Sequence, residues 1–128
     1  MKGHRLSIEE AHEVGVDALC AHNTSHQNAE IVARALVAAE LDGLRGHGLS
    51  RLPSYCAQAA SGKVDGQVQP ELISVADSAY RIDAKNGFAY PALALALDKL
   101  AVVTPKSGIA VAAVTHSHHC GAAGYHVE

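Results

Sequence analysis

The sequence predicts an α/β fold, with a helical N-terminal segment over residues 1–62 and a strand–strand–helix–strand segment over residues 63–128. Three observations carry this prediction. Two N-terminal windows each join a capping-box pattern to apolar residues at helical spacing. A glycine cluster and Gly62 then punctuate the chain, and after Gly66 the pattern changes to short strand-like runs. Finally, an Ala/Leu-rich window is followed by the apolar run Gly108–Thr115, the strand–helix–strand order of a parallel arrangement.

The elements follow in order. Ser7-Ile8-Glu9-Glu10 reads as a capping box, and Ile8, Ala11, Val14 and Ala18 continue it as a helix over about 8–22. Thr24 and Gln27 repeat the box ahead of Ile31, Val32, Ala35, Leu36 and Ala39, predicting a second helix over about 25–42. A third begins near Leu49, tolerates Pro53 in its first turn, and ends at Gly62, which suits the C′ position. Leu72–Ala76 and Tyr80–Asp83 read as strands around an Asp77-Ser78 turn. In Pro91–Val103 the alternation of Leu93, Leu95 and Leu97 mimics a strand, but length and composition favour a helix that Thr104-Pro105 stops. Gly108–Thr115 is expected to be a strand buried on both faces, and Gly121–Glu128 the beginning of a helix. With no return strand after it, the chain reads as truncated.

The composition suits one packed domain: 128 residues, 48% hydrophobic and 18% charged. A net charge of −3 without a basic run, no Trp and one Phe argue against a nucleic-acid partner. Met1-Lys2-Gly3-His4-Arg5 lacks the apolar core of a signal peptide, and the apolar stretch Tyr90–Val103 is too short to span a bilayer. Cys20, Cys56 and Cys120 are odd in number and share no short spacing, so the expected location is a reducing cytoplasm.

Two histidine-bearing segments carry the candidate chemistry. In Arg45-Gly46-His47-Gly48-Leu49-Ser50-Arg51 a His and an Arg stand four residues apart at the start of a helix. Reduction of a 2-oxo acid needs a cationic fork for the carboxylate and a proton donor for the carbonyl oxygen, and Arg and His are suited to those tasks. On spacing alone, a capping histidine and a solvated arginine explain the pair better. The second segment, His116-Ser117-His118-His119-Cys120-Gly121-Ala122-Ala123-Gly124, follows the last predicted strand, and ligands of open α/β sheets bind beyond such strand ends. Its small residues would let a flat ring approach the main chain. Three imidazoles and a thiol also raise the question of zinc. However, neighbours on a strand point to opposite faces, so a site would need a further ligand such as His126 or His47; no metal is expected. Neither G-x-G-x-x-G nor a P-loop is present.

Taken together, these motifs resemble the malate/L-lactate dehydrogenase family of the second, non-Rossmann type. The resemblance runs from Ser7-Ile8-Glu9-Glu10 through Arg45–Tyr55, Gly62 and Asp83–Gly87 to His116–Tyr125. It implies a non-Rossmann nicotinamide-binding domain, of which residues 63–128 would be the beginning. NAD or NADP would be the cofactor, a small 2-oxo or 2-hydroxy acid the substrate, and a homodimer the assembly. It implies that His47 is the proton donor and also touches substrate, that Arg51 binds the substrate carboxylate, and that His119 is a second acid/base. His119, Cys120, Gly121, Ala122 and Ala123 would lie along the nicotinamide. The chain also departs from the family pattern. Gly46 replaces a serine thought to assist the histidine, His116 and Cys120 replace an Asn and an aromatic residue, and Ala89 replaces a glycine. Members are more than twice as long, so a non-catalytic remnant, serving as a metal-binding or interaction module, is the alternative.

Overall fold

The computed structural model describes residues 4–127, so the expectations for Met1–Gly3 and for Glu128 lie outside the described residues. Helix α1 (Ile8–Ala21) starts as predicted: the Ser7 hydroxyl accepts the Glu10 amide at 3.1 Å, and the Glu10 carboxylate accepts the Ser7 amide at 2.7 Å. Such a cap contributes about 1 kcal/mol. The Thr24–Gln27 box does not form. Helix α2 (His26–Leu41) is capped one residue later by Ser25, whose hydroxyl accepts the Asn28 amide at 3.2 Å. That shift leaves Thr24 buried and turns Asn28 inward, where its Nδ2 donates to the carbonyls of Gly66 and Val68, each at 2.9 Å. A buried amide costs little when so paired. The two helices pack closely because Gly15 faces Ala33; a Cβ on Gly15 would stand 3.0 Å from the Ala33 Cβ.

Two single 3₁₀ turns, Arg45–His47 and Leu49–Arg51, lead into α3 (Leu52–Ala60), with Pro53 in its first turn and Gly62 following its Ser61 cap with φ 77°. An irregular stretch follows before the hairpin of β1 (Glu71–Ala76) and β2 (Ala79–Asp83), paired antiparallel with a bulge between Ser74 and Ala76. Helix α4 (Ala89–Ser107) is longer at both ends than the predicted 91–103 and is not stopped by Thr104-Pro105. Pro105 lies in the last turn, where its missing N–H costs one bond at most. The terminator is Gly108, whose φ of 79° only glycine adopts freely and whose amide closes on the Thr104 carbonyl at 2.9 Å.

Strand β3 (Val111–Thr115) pairs parallel with β2, giving the sheet order β1-β2-β3 and the expected β–α–β unit. The expectation that it is buried on both faces is corrected. Ala112 and Val114 pack on Ile82, Ala84, Ala92 and Ala96, but Val111 and Ala113 are exposed. Among the described residues β3 is an edge strand with only one face covered. The main core joins α1, α2 and α3 to the start of α4, through Val16, Leu19, Val32, Leu36, Tyr55, Phe88 and Tyr90. The predicted C-terminal helix begins at Gly124 rather than Gly121, as the single turn α5 (Gly124–Val127).

Candidate active site

The segment holding His47 and Arg51 is shaped by its own neighbours. The His47 amide donates to the Leu44 carbonyl at 2.8 Å, the Ser50 hydroxyl to the Arg45 carbonyl at 2.5 Å, and Arg51 Nε to the Gly46 carbonyl at 2.6 Å. Glu40, near the end of α2, accepts the Leu49 amide through Oε2 at 3.1 Å. Gly48 permits this contact, since a Cβ there would overlap that carboxylate. His47 and Arg51 are both exposed. With Nε engaged, the two terminal nitrogens of Arg51 make no hydrogen bond among the described residues, which leaves a planar pair of donors for a carboxylate.

The second segment is shaped from a distance. His116 leaves β3 with a left-handed φ of 50°, and its ring pairs with Asp83 at 3.1 Å. Asp83 in turn accepts the Lys85 amide; that bond first, and His116 second, hold its carboxyl below the usual range. The Asn86 amide donates to the His116 carbonyl at 2.7 Å and the His118 amide to the Gly87 carbonyl at 3.0 Å. His118 points inward. Its ring lies edge-on to Tyr55 (5.0 Å between centroids) and Phe88 (5.8 Å), and 4.1 Å from the His119 ring. Burial first, then the charges of His119 and Lys63, push its pKa down to about 4. Its two ring nitrogens are buried and without a hydrogen-bond partner among the described residues.

Gly121 joins the two segments. Its amide donates to the Tyr90 hydroxyl at 3.2 Å, and a Cβ on it would stand 3.2 Å from that oxygen, 3.5 Å from His47 Nδ1 and 3.7 Å from His47 Cβ. A side chain there would press on both the histidine and its neighbour. Tyr90 is buried, and its ring stacks on His126 at 5.5 Å. Tyr55 is 1% exposed, and its hydroxyl has no hydrogen-bond partner among the described residues. Burial, and then the nearby Tyr90 hydroxyl, raise its pKa, so it stays a neutral phenol although Arg51 pulls the other way.

The predicted residues therefore fall into two groups. Gly121 lies beside His47, while His119 packs edge-on to Tyr55, which also feels the charge of Arg51. Cys120 is exposed and its Sγ donates to the Ala122 carbonyl at 3.4 Å; Ala122 is half-buried and Ala123 exposed. No helix starts at Gly121, and its amide is engaged by Tyr90 rather than free for an anion. The His118 and His119 rings lie 4.1 Å apart, but His116 turns to Asp83 and His126 to Tyr90, so the four imidazoles do not gather at one point. Among the described residues no three His, Cys, Asp or Glu side chains are grouped as a metal ion requires. Sequence reasoning gave no role to Glu40, Tyr55 or Tyr90. Tyr55 stands four residues after Arg51, a helical spacing that could have suggested it; nothing in the sequence pairs Tyr90 with Gly121. A cavity of about 470 Å³ between α1 and α2 is lined by none of the predicted site residues.

Comparison with known proteins adds the following. The family model for malate/L-lactate dehydrogenase matches residues 6–128. A (2R)-3-sulfolactate dehydrogenase (NADP(+)) from Chromohalobacter salexigens is 45% identical over 123 residues, which are 96% of this chain and 37% of that protein. A Δ1-pyrroline-2-carboxylate/Δ1-piperideine-2-carboxylate reductase from Pseudomonas putida is 42% identical over 107 residues, 84% of this chain and 31% of the relative. The crystal structure of Δ1-piperideine-2-carboxylate reductase from Pseudomonas syringae superposes with a TM-score of 0.93 at 35% identity, covering 98% of this chain and 38% of that one. The chain thus spans 31–38% of the length of these relatives.

Proposed function

The chain belongs to the malate/L-lactate dehydrogenase family, and from that premise we propose that the full-length protein moves hydride between NAD(P)H and a small 2-oxo or 2-hydroxy acid. The observation that supports this most is that Gly121 lies beside His47, where a Cβ on it would stand 3.5 Å from Nδ1, which brings together two motifs more than seventy residues apart. Residues 120–123 offer a thiol, a glycine and two methyl groups. A nicotinamide ring fits against so little bulk, and Cys120, Gly121, Ala122, Ala123 and His119 would hold it. When bound, the cofactor supplies the hydride and thus the two electrons of the reduction.

The chain's own residues supply the rest. Arg51 presents its two terminal nitrogens to the substrate carboxylate and fixes the adjacent carbonyl beside His47. His47 gives a proton to the carbonyl oxygen as negative charge develops there, and takes it back in the oxidative direction. His119, beside Tyr55, shares the acid/base work; no serine hydroxyl is available at Gly46 to steady His47. The buried Tyr55 and Tyr90 exclude water from the inner side.

The relatives widen the substrate class. One acts on a sulfonated hydroxy acid and others on cyclic 2-imino acids, whose C=N bond stands where a 2-oxo acid has C=O. A carboxylate beside a reducible double bond is common to all. Further parts of the reading are a homodimer and a cytoplasmic location. The exposed Leu6, Ile8 and Leu41 on one side, and Val102, Ile109 and Val111 on another, are apolar surface that a second copy or further sequence would cover. Among the described residues no helix is long and apolar enough to cross a membrane. The test is oxidation of NADH and NADPH by the full-length protein with pyruvate, oxaloacetate, 3-sulfopyruvate and cyclic 2-imino acids. Turnover of at least one is expected; failure with all of them would refute the reading.

A further inference from the structure

A cavity of about 230 Å³ is lined by Lys63, Val64, Asn86, Ser117, His118 and His119. Five of these six carry polar groups, and no carboxylate is among them. Lys63 makes no ion pair among the described residues, and the Asn86 amide and Ser117 hydroxyl make no side-chain hydrogen bond among them. The neutral His118 keeps two buried, unpartnered ring nitrogens at the same place. Such buried polar atoms ordinarily find a partner.

The rim is also built at a cost. Lys85, Asn86 and His116 all take left-handed backbone angles, with φ 52°, 63° and 50°, which side chains other than glycine rarely adopt. Three bonds fix them: the Asp65 amide on the Asn86 carbonyl (2.9 Å), the Asn86 amide on the His116 carbonyl (2.7 Å), and the His116–Asp83 pair. Strain held this firmly shapes the place where Asn86, Ser117 and His118 face one another. An ammonium, an amide, a hydroxyl and two imidazoles without a carboxylate form a donor-rich surface, and its complement is an oxyanion.

We propose that this cavity is an oxyanion subsite, filled in the full-length enzyme either by a second acidic group of the substrate or by a phosphate of the dinucleotide. The proposal rests on the dehydrogenase reading above. Bound charge would also relieve the repulsion that Lys63 and His119 exert on His118, so the site takes up anion and proton together.

Lys63 is exposed, so Lys63→Met should fold normally. In the full-length enzyme its KM is compared with wild type for a 2-oxo acid with a second acidic group, for a 2-oxo acid without one, and for NADH and NADPH. Loss of one charge-assisted hydrogen bond raises KM by about tenfold or more. A rise confined to the diacid assigns the subsite to the substrate; a rise confined to the dinucleotide assigns it to the cofactor's phosphate. No selective rise in either sinks the proposal. Independently, sulfate titrated into the full-length protein with labelled histidines should raise the pKa of His118 in wild type and not in Lys63→Met. An unmoved His118 would also overturn the subsite. This second readout requires no turnover, so failure of the dehydrogenase reading and failure of the subsite remain distinguishable.

Discussion

The two histidine-bearing segments are held in opposite ways. Around His47 the bonds are local: Arg51 to Gly46, Ser50 to Arg45, His47 to Leu44, with Glu40 reaching nine residues to Leu49. Around His119 they are long-range: His116 to Asp83, His118 to Gly87, Gly121 to Tyr90, each about thirty residues away in sequence. A locally braced turn can be designed by spacing, and its chemistry can be read from spacing. A loop braced by the rest of the fold has its geometry set by residues that no local pattern identifies. The first segment should therefore respond to changes in its own residues, and the second to changes far away.

The largest expected effect is at His47. In the full-length enzyme, His47→Ala should lower kcat by about 10²–10⁴-fold, the usual worth of a positioned acid. The matching His119→Ala variant tests whether that residue shares the role. Near-normal kcat in both variants, with a 2-oxo acid and NAD(P)H, would remove the proposed proton transfer. Next comes Arg51→Lys, which keeps the charge but loses both the fork and the Nε bond to Gly46. Substrate KM should rise about tenfold or more, while cofactor KM stays within about twofold. Equal shifts in the two would mean that the turn, not the carboxylate contact, had been lost.

A smaller effect is expected from a distant residue. Tyr90→Phe deletes only the oxygen that accepts the Gly121 amide. Loss of one such bond, about 1 kcal/mol, corresponds to about fivefold in kcat. If Tyr90→Phe is silent while Gly121→Ala is not, the space that Gly121 leaves beside His47 and Tyr90 matters and the hydrogen bond does not.

The smallest effect is on stability. The folded His118 has a pKa near 4 against an ordinary value of 6.5, so below about pH 6.5 the unfolded chain binds a proton that the folded chain resists. Its contribution is complete above pH 6.5 and is lost as pH falls toward 4; His126, also lowered by burial, acts in the same direction. Asp83 acts only below the ordinary carboxylate range, where protonation removes its bonds to Lys85 and His116. Urea midpoints at about pH 7.5 and about pH 5 should differ less in His118→Phe than in wild type. Identical differences would show that His118 is not the group concerned.

What could be read from the sequence follows the same division. The Ser7 cap, Pro53, Gly62 and the hairpin are legible because each depends on residues a few positions apart, and the β–α–β order because three successive windows each show their own pattern. The Thr24 box was misread because two adjacent hydroxyl residues compete for one cap, and burial of Thr24 and Asn28 decides in favour of Ser25. Pro105 was overrated as a stop because a proline in the last turn breaks so little. Both faces of β3 are apolar, as the sequence predicts, but among the described residues only one of them is covered. At the site, His47 and Arg51 were visible as a pair. Tyr55, Tyr90 and the Lys63 cavity were not, because they arise where α3, α4 and the loop after β3 meet.

The stretch 61–70 contains neither helix nor strand, the kind of segment that proteases usually cut first. Here it is tied down on both sides. Asn28 holds Gly66 and Val68, the Ser25 amide donates to Gly66, and Asp65 donates to Asn86 on the rim of the oxyanion cavity. A Cβ on Gly66 would fall 2.5 Å from the Asn23 carbonyl oxygen. This irregular stretch is thus a strut between the helical half and the His116 loop, and limited proteolysis should leave it intact. Asn28→Ala, made at the far end of α2 from His47, should turn it into the preferred site of cleavage.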